Sequence, residues 1–89
     1  MLTPTYTRQF EKDVRRILRR GKDPERIKDV MQRLVREEPL ERRHRDHRLT
    51  GIFRDRRDCH VEPDWVLIYK KTATEIIFER TGTHADLFE

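Results

Sequence analysis

Apolar positions recur along the chain with two different periods, and the change falls past the middle. Phe10, Val14, Ile17 and Leu18 stand at i, i+4, i+7 and i+8, which is one face of a helix. Thr7 is placed to cap that helix ahead of Arg8, and Gly21 to stop it. Asp23-Pro24 then reads as an N-cap followed by proline at the first helical position. Ile27, Val30, Met31, Leu34 and Val35 repeat the helical spacing. This second helix is expected to end near Glu38, because Pro39 disfavours helical backbone at the residue before it. The short link makes the pair an αα-hairpin. Its apolar stripes are core faces rather than ligand boxes, and some opposing arginines are expected to pair with Glu11, Asp13 or Asp29 at helical spacing.

From Ile52 onward the pattern becomes short runs of β-favouring residues. Residues 56–62 are a candidate strand, and Glu62-Pro63-Asp64-Trp65 suits a type I turn with proline at its second position. Residues 65–69 (WVLIY) form an unbroken apolar run, expected as a central strand buried on both faces. Residues 70–74 turn the chain, residues 75–81 make the last strand, and Gly82 breaks it ahead of a short tail. Before the helices, residues 2–6 read as a strand that Pro4 confines to an edge or a strand start. Residues 40–51 are polar, rich in Arg and His, and read as a loop. The predicted order is β-α-α-β-β-β, an α/β (α+β) fold. Its late strands form an antiparallel meander, the helix pair covers one face, and the other face is left free for a ligand.

Composition narrows this further. Eighty-nine residues make one domain, 1–89. Only 34% are apolar, against roughly 45–50% in an average domain, so a thin, two-layered core is expected. Charged residues make up 43% of the chain, a level met in disordered proteins, but disordered chains lack periodic apolar positions. The net charge is +4, with the excess of cations in residues 1–60, and Arg predominates over Lys. Guanidinium suits bidentate contact with phosphate, so RNA, DNA or an acidic protein is the expected partner, set against a solvated charged surface with none. A single cysteine, Cys59, makes no internal disulfide, which fits a reducing cytoplasm. No signal-type apolar segment and no run approaching about 18 apolar residues is present, so no membrane association is expected.

The candidate chemistry gathers in residues 46–65, DHRLTGIFRDRRDCHVEPDW. Strand alternation puts Arg56, Asp58, His60 and Glu62 on one side, and Arg57, Cys59 and Val61 on the other. Asp and His on an open face suit a site, although ordinary cross-strand polar pairing would use the same residues. Imidazole exchanges protons near neutrality. Cleavage of RNA by its own 2′-hydroxyl needs a base, an acid and cations for the crowded phosphorane, and these residue types supply all three without a metal or other cofactor. A zinc site from His44, His47, Cys59 and His60 competes for the same residues. Against it, adjacent Cys and His on a strand point to opposite faces, and paired-Cys spacing is missing. His44 by itself reads as a solvated loop residue. Phe88, in the polar tail THADLFE, either packs down or stacks on a base.

RDHRLTG, RDCHVEPDWVLIYK and FERTGTHADLF together closely resemble the YafQ-type toxins of the RelE/ParE superfamily, over most of the chain. The resemblance implies a RelE-like fold with a twisted antiparallel sheet and two N-terminal helices. It implies a toxin that enters the ribosomal A site, cuts mRNA there, and is neutralised by a DinJ-like antitoxin, with operator DNA bound only by the toxin–antitoxin complex. It places functional roles on His47, Asp58, His60, Asp64, His84 and Phe88. His84 is the expected general acid, and His60 or Asp64 the base or the group holding the 2′-hydroxyl. His47 and Asp58 position the substrate, and Phe88 stacks on a nucleotide. Arg48, Arg54, Arg56 and Arg80 are the candidate phosphate contacts, with an ion pair to Glu79 or Glu75 as the other use of Arg80. Arg48 departs from the proline that often follows the loop histidine in such sequences, so the placement of His47 is the point to check. Gyrase-directed members of the superfamily, or a non-catalytic basic nucleic-acid-binding module, are the alternatives. The histidines argue against the gyrase branch.

Overall fold

The structure, a computed structural model, describes residues 1–51 and 55–88. Strand β1 (Thr3–Tyr6) leads into helix α1 (Arg8–Arg19) and helix α2 (Pro24–Val35). A single 3-10 turn (Arg42–His44) and a two-residue strand β2 (His47–Arg48) come next. Strands β3 (Arg57–Glu62), β4 (Trp65–Lys71) and β5 (Glu75–Gly82) complete the sheet, and helix α3 (His84–Phe88) comes last. The sheet order is β1-β5-β4-β3-β2. It is antiparallel except at β1, which runs parallel to β5.

The predicted caps are in place. Thr7 Oγ1 accepts from the Phe10 N–H at 2.9 Å, and Asp23 Oδ1 accepts from the Glu25 N–H at 2.9 Å. Gly21, with φ +91°, takes the left-handed position beyond α1. Helix α2 stops at Val35, short of the expected Glu38. Its last carbonyls are closed by Glu37 N–H to Leu34 O at 3.1 Å and Glu38 N–H to Arg33 O at 2.9 Å. That is a Schellman ending, and it needs two non-helical residues before Pro39. Glu37 occupies its left-handed position, φ +59°, where glycine is usual.

Both helices lie on one face of the sheet. Phe10 and Ile17 of α1 and Val30 and Leu34 of α2 pack against Cys59, Trp65, Leu67 and Phe78. Strand β4 is central and fully buried from Trp65 to Tyr69, as its apolar run predicts. The opposite face is not bare, however. Val66 and Ile68 point to it and are covered by Leu87 of α3, with Leu49 beside them. The tail expected after Gly82 is therefore a docked helical turn, and the loop at 40–51 contains a 3-10 turn and a fifth strand.

One alternation fails. A register shift between His60 and Glu62 turns Glu62 to the helical side, where Lys22 Nζ reaches it at 2.8 Å and Arg26 Nε at 3.4 Å. A bulge adds one residue and reverses the facing of the positions beyond it, so Glu62 leaves the face that holds Asp58 and His60. His44 is a second correction. It is buried, with Nδ1 accepting and donating no hydrogen bond among the described residues, and burial pushes its pKa down.

Candidate active site

The site is built from strand register. β2 pairs with β3 so that His47 lies opposite Asp58 and Arg48 opposite Arg57. His47, Asp58 and His60 therefore share the face away from the helices, while Arg57, Cys59 and Arg48 belong to the other. Sheet pairing, rather than a proline after it, sets the place of His47. The Leu49 N–H donates to Arg56 O at 2.9 Å and closes the same ladder. Behind the sheet, the Tyr69 hydroxyl donates to Asp46 Oδ1 at 2.5 Å, and Arg57 reaches both oxygens of Asp46 at 3.3 Å. The residue before His47 is thus anchored on the helical side.

His47 Nδ1 donates to the Arg45 carbonyl at 2.7 Å. A carbonyl only accepts, so Nδ1 carries the hydrogen. Nε2 then lies 3.0 Å from Asp58 Oδ1, a contact that is attractive only with one more proton between the two groups. The approach is off the line of a hydrogen bond, and Oδ1 receives none among the described residues. Asp58 is buried, and burial pushes its pKa up against the pull of His47, His60 and His84. His60 is half-buried, and burial is the main cause that lowers its pKa, opposed by Asp58. A histidine held neutral in this way is suited to accept a proton.

His84 comes from the far end of the sheet. Its ring stands edge-on to that of His60, with centroids 5.3 Å apart. Asp64 Oδ1 accepts both the His84 backbone N–H at 2.9 Å and its Nδ1–H at 2.6 Å. These two bonds, the backbone one first, hold the Asp64 carboxyl below the usual carboxylate range. They also fix the His84 tautomer and leave Nε2 as its proton-exchanging atom. Phe88 lies 6.1 Å from His84, ring to ring, and is exposed.

The arginines are distributed differently from the expectation. Arg80 Nε donates to the buried Asp13 of α1 at 2.7 Å, and neither Glu79 nor Glu75 is its partner. Arg56 pairs with Glu79. Arg48 lies on the Arg57 side of β2, away from Asp58 and His60, and Arg54 falls outside the described residues. The cation that does act on the site is Arg45. It makes no ion pair among the described residues, and its charge contributes to lowering the His60 pKa. Its left-handed backbone, φ +46°, carried no signal in the sequence. Asp13 did carry one, because it sits within the Phe10–Ile17 stripe, where a carboxylate has to be paired. The donor set weighed for zinc is split, with Cys59 in the main core and His47 and His60 on the opposite face.

Residues 2–89 match the model of a family described as the bacterial toxin of a type II toxin–antitoxin system, YafQ. The chain belongs to the YafQ family. It is 48% identical over 84 residues to the mRNA interferase toxin YafQ of Escherichia coli K12, covering 93% of this chain and 91% of that relative. The crystal structure of YafQ from E. coli BL21(DE3) superposes with a TM-score of 0.95 at 43% identity, covering all of both chains. In the crystal structure of the E. coli DinJ–YafQ toxin–antitoxin complex the corresponding TM-score is 0.92 at 45% identity, covering 99% of this chain and 98% of that one. The RelE-like α/β fold read from the sequence is therefore the fold of the family. Among the described residues no helix is long and apolar enough to cross a membrane.

Proposed function

We propose that the protein cuts mRNA in the A site of the 70S ribosome, as an endoribonuclease working by acid–base catalysis with its own side chains. The observation that carries this is the meeting of His60 and His84, each with a carboxylate at hand, on one face of the sheet. His60, kept neutral by burial, takes the proton of the 2′-hydroxyl. The 2′-oxygen attacks the adjacent phosphorus and the bond to the 5′-oxygen breaks. His84 Nε2 gives its proton to that leaving oxygen. The products are a 2′,3′-cyclic phosphate and a 5′-hydroxyl end. Asp64 orients His84, so of the two candidates for base the geometry supports His60. His47 and Asp58 stand beside the reacting groups to position the substrate, and Arg45 offers positive charge to the phosphorane. Phe88 offers a face for a nucleotide to stack on.

A basic stripe on α1 supports the ribosome as platform. Arg8, Lys12, Arg15 and Arg19 stand one turn apart, are exposed, and make no ion pair among the described residues. Such a row suits an RNA phosphate backbone. The E. coli relative is seen in complex with DinJ, and a DinJ-like antitoxin is the proposed partner here, with operator DNA met only through that complex. The proposed place of action is the cytoplasm, where translating ribosomes are.

Purified protein added to programmed ribosomes is expected to cut mRNA at the A-site codon, with EDTA present or absent. His84→Ala is expected to lower the rate about a hundredfold or more. The α1 stripe also supports a second reading, a basic module that blocks translation without chemistry. In that case His60→Ala and His84→Ala would still arrest growth while mRNA stays intact.

A further inference from the structure

We infer that Asp86 is a positioning residue for His84, and that Arg20 at the end of α1 holds it in that role. The inference rests on the proposed catalytic reading, since it concerns how the acid is kept in place. Helix α3 has five residues, and a helix that short has no stability of its own. Thr83 and Asp86 start it together. The Asp86 N–H donates to Thr83 Oγ1 at 3.1 Å, and the Thr83 N–H donates to Asp86 Oδ2 at 2.9 Å. This is a reciprocal capping box, with Asp where Glu is usual.

The same carboxylate is gripped from α1. Arg20 Nη1 donates to Oδ2 at 2.7 Å and Nη2 to Oδ1 at 3.1 Å. Arg16, one turn earlier, stands 3.8 Å from Oδ2. A two-pronged guanidinium fixes the direction of the carboxylate as well as its charge. Gly82 makes room for it, because a Cβ there would stand 2.9 Å from both Asp86 Cβ and Oδ2. Leu87, the next residue, is buried against Val66 and Ile68. With Leu87 held down on the sheet and Asp86 held by α1, the short helix has one rotation left. That rotation sets the His84 ring against Asp64 and His60 and the Phe88 ring beside His84. Arg20 is 44% exposed, so its pair contributes little to global stability. Its effect falls on orientation.

The test compares Arg20→Ala, Arg20→Lys, Asp86→Asn, the Arg20→Ala/Asp86→Asn double variant and Gly82→Ala with the parent protein. Two assays are run, cleavage on programmed ribosomes and NMR titration of the histidine rings in the free protein. Asn keeps a cap acceptor and loses the ion pair. Arg20→Ala and Asp86→Asn are each expected to lower kcat on the order of tenfold with KM within about twofold, and the double variant to be little worse than either. Arg20→Lys should recover part of the loss. The His84 titration should move in Arg20→Ala and Gly82→Ala, while that of His47 stays in place. A His84 titration unchanged in Arg20→Ala, with kcat at the parent value, would overturn the inference. So would a loss that tracks the fall in melting temperature across all variants and is not recovered by lysine. If the parent protein does not cut mRNA, the catalytic reading fails instead, and the His84 titration alone decides whether α1 positions α3.

Discussion

Asp64 and His84 are joined twice through one oxygen: Oδ1 of Asp64 takes the His84 backbone N–H at 2.9 Å and its ring Nδ1–H at 2.6 Å. Asp64→Ala removes both bonds, freeing the ring to turn and to change tautomer. The expected outcome is a fall in kcat on the order of tenfold to a hundredfold, with an altered alkaline limb in the pH–rate profile, the limb that a general acid governs. Asp64→Asn keeps an acceptor for Nδ1–H and should retain more activity than the alanine. Single-turnover cleavage across pH checks both, and equal rates for alanine and parent would remove Asp64 from the mechanism.

Stability should depend on two histidines. Burial lowers the pKa of His44 and of His60 from the ordinary 6.5. Below about pH 6.5 the unfolded chain therefore binds protons that the folded chain refuses, so stability falls as pH drops through that value and is flat above it. Asp58, pushed up by burial from 3.8, runs the other way: its contribution is present in acid and is lost as pH rises through its folded value. Melts between about pH 7.5 and about pH 5.5 should show a decline in the parent and a shallower one in His44→Asn and in His60→Asn. Identical slopes in all three proteins would count against the burial of both rings.

Asp13 is a buried carboxylate with five donors around it. Arg80 Nε at 2.7 Å, Arg80 Nη2 at 3.4 Å, the Thr81 N–H at 3.2 Å, Gln9 Nε2 at 2.9 Å and Arg16 Nη2 at 3.3 Å all point to it. Asp13→Ala leaves these unmet and is expected to cost about 2–3 kcal/mol in denaturant unfolding, against less for Asp13→Asn. A loss under about 0.5 kcal/mol would show that water replaces the carboxylate.

Glu37 sits at φ +59° in the α2 ending, where a side chain strains the backbone and glycine does not. Its contacts with the Met1 amino group at 3.7 Å and Lys71 at 3.9 Å are exposed and weak. Glu37→Gly should raise stability by about 0.5–1 kcal/mol without changing activity. A lower midpoint would mean that the two ion pairs outweigh the strain.

Periodicity and caps made the two helices, β4 and the order of the late strands legible, because each rests on local sequence. Asp58 and His60 could be placed on one face for the same reason. What escaped was mostly long-range. The pairing of β1 with β5 and the docking of α3 depend on partners far along the chain, while the two-residue β2 is too short to show an alternation. The bulge that turns Glu62 over cannot be seen in alternation. Arg80 read as a phosphate contact, or a partner of Glu79 or Glu75, until α1 supplied Asp13, and Asp86 carried no reading until Arg20 met it. The resemblance in RDCHVEPDW and GTHADLF pointed to the family ahead of any of this geometry.

The parallel pairing of β1 with β5 bears on when the protein becomes active. Strand β1 leaves the ribosome well before β5, its neighbour in the sheet, and the proposed acid emerges later still. An early fragment can form its two helices, yet it has neither a closed sheet nor His84 to complete the proposed site. Folding that waits on such distant contacts is slow relative to helix formation. The chain therefore has to be made through β5 and α3 before the closed sheet and the proposed site exist together.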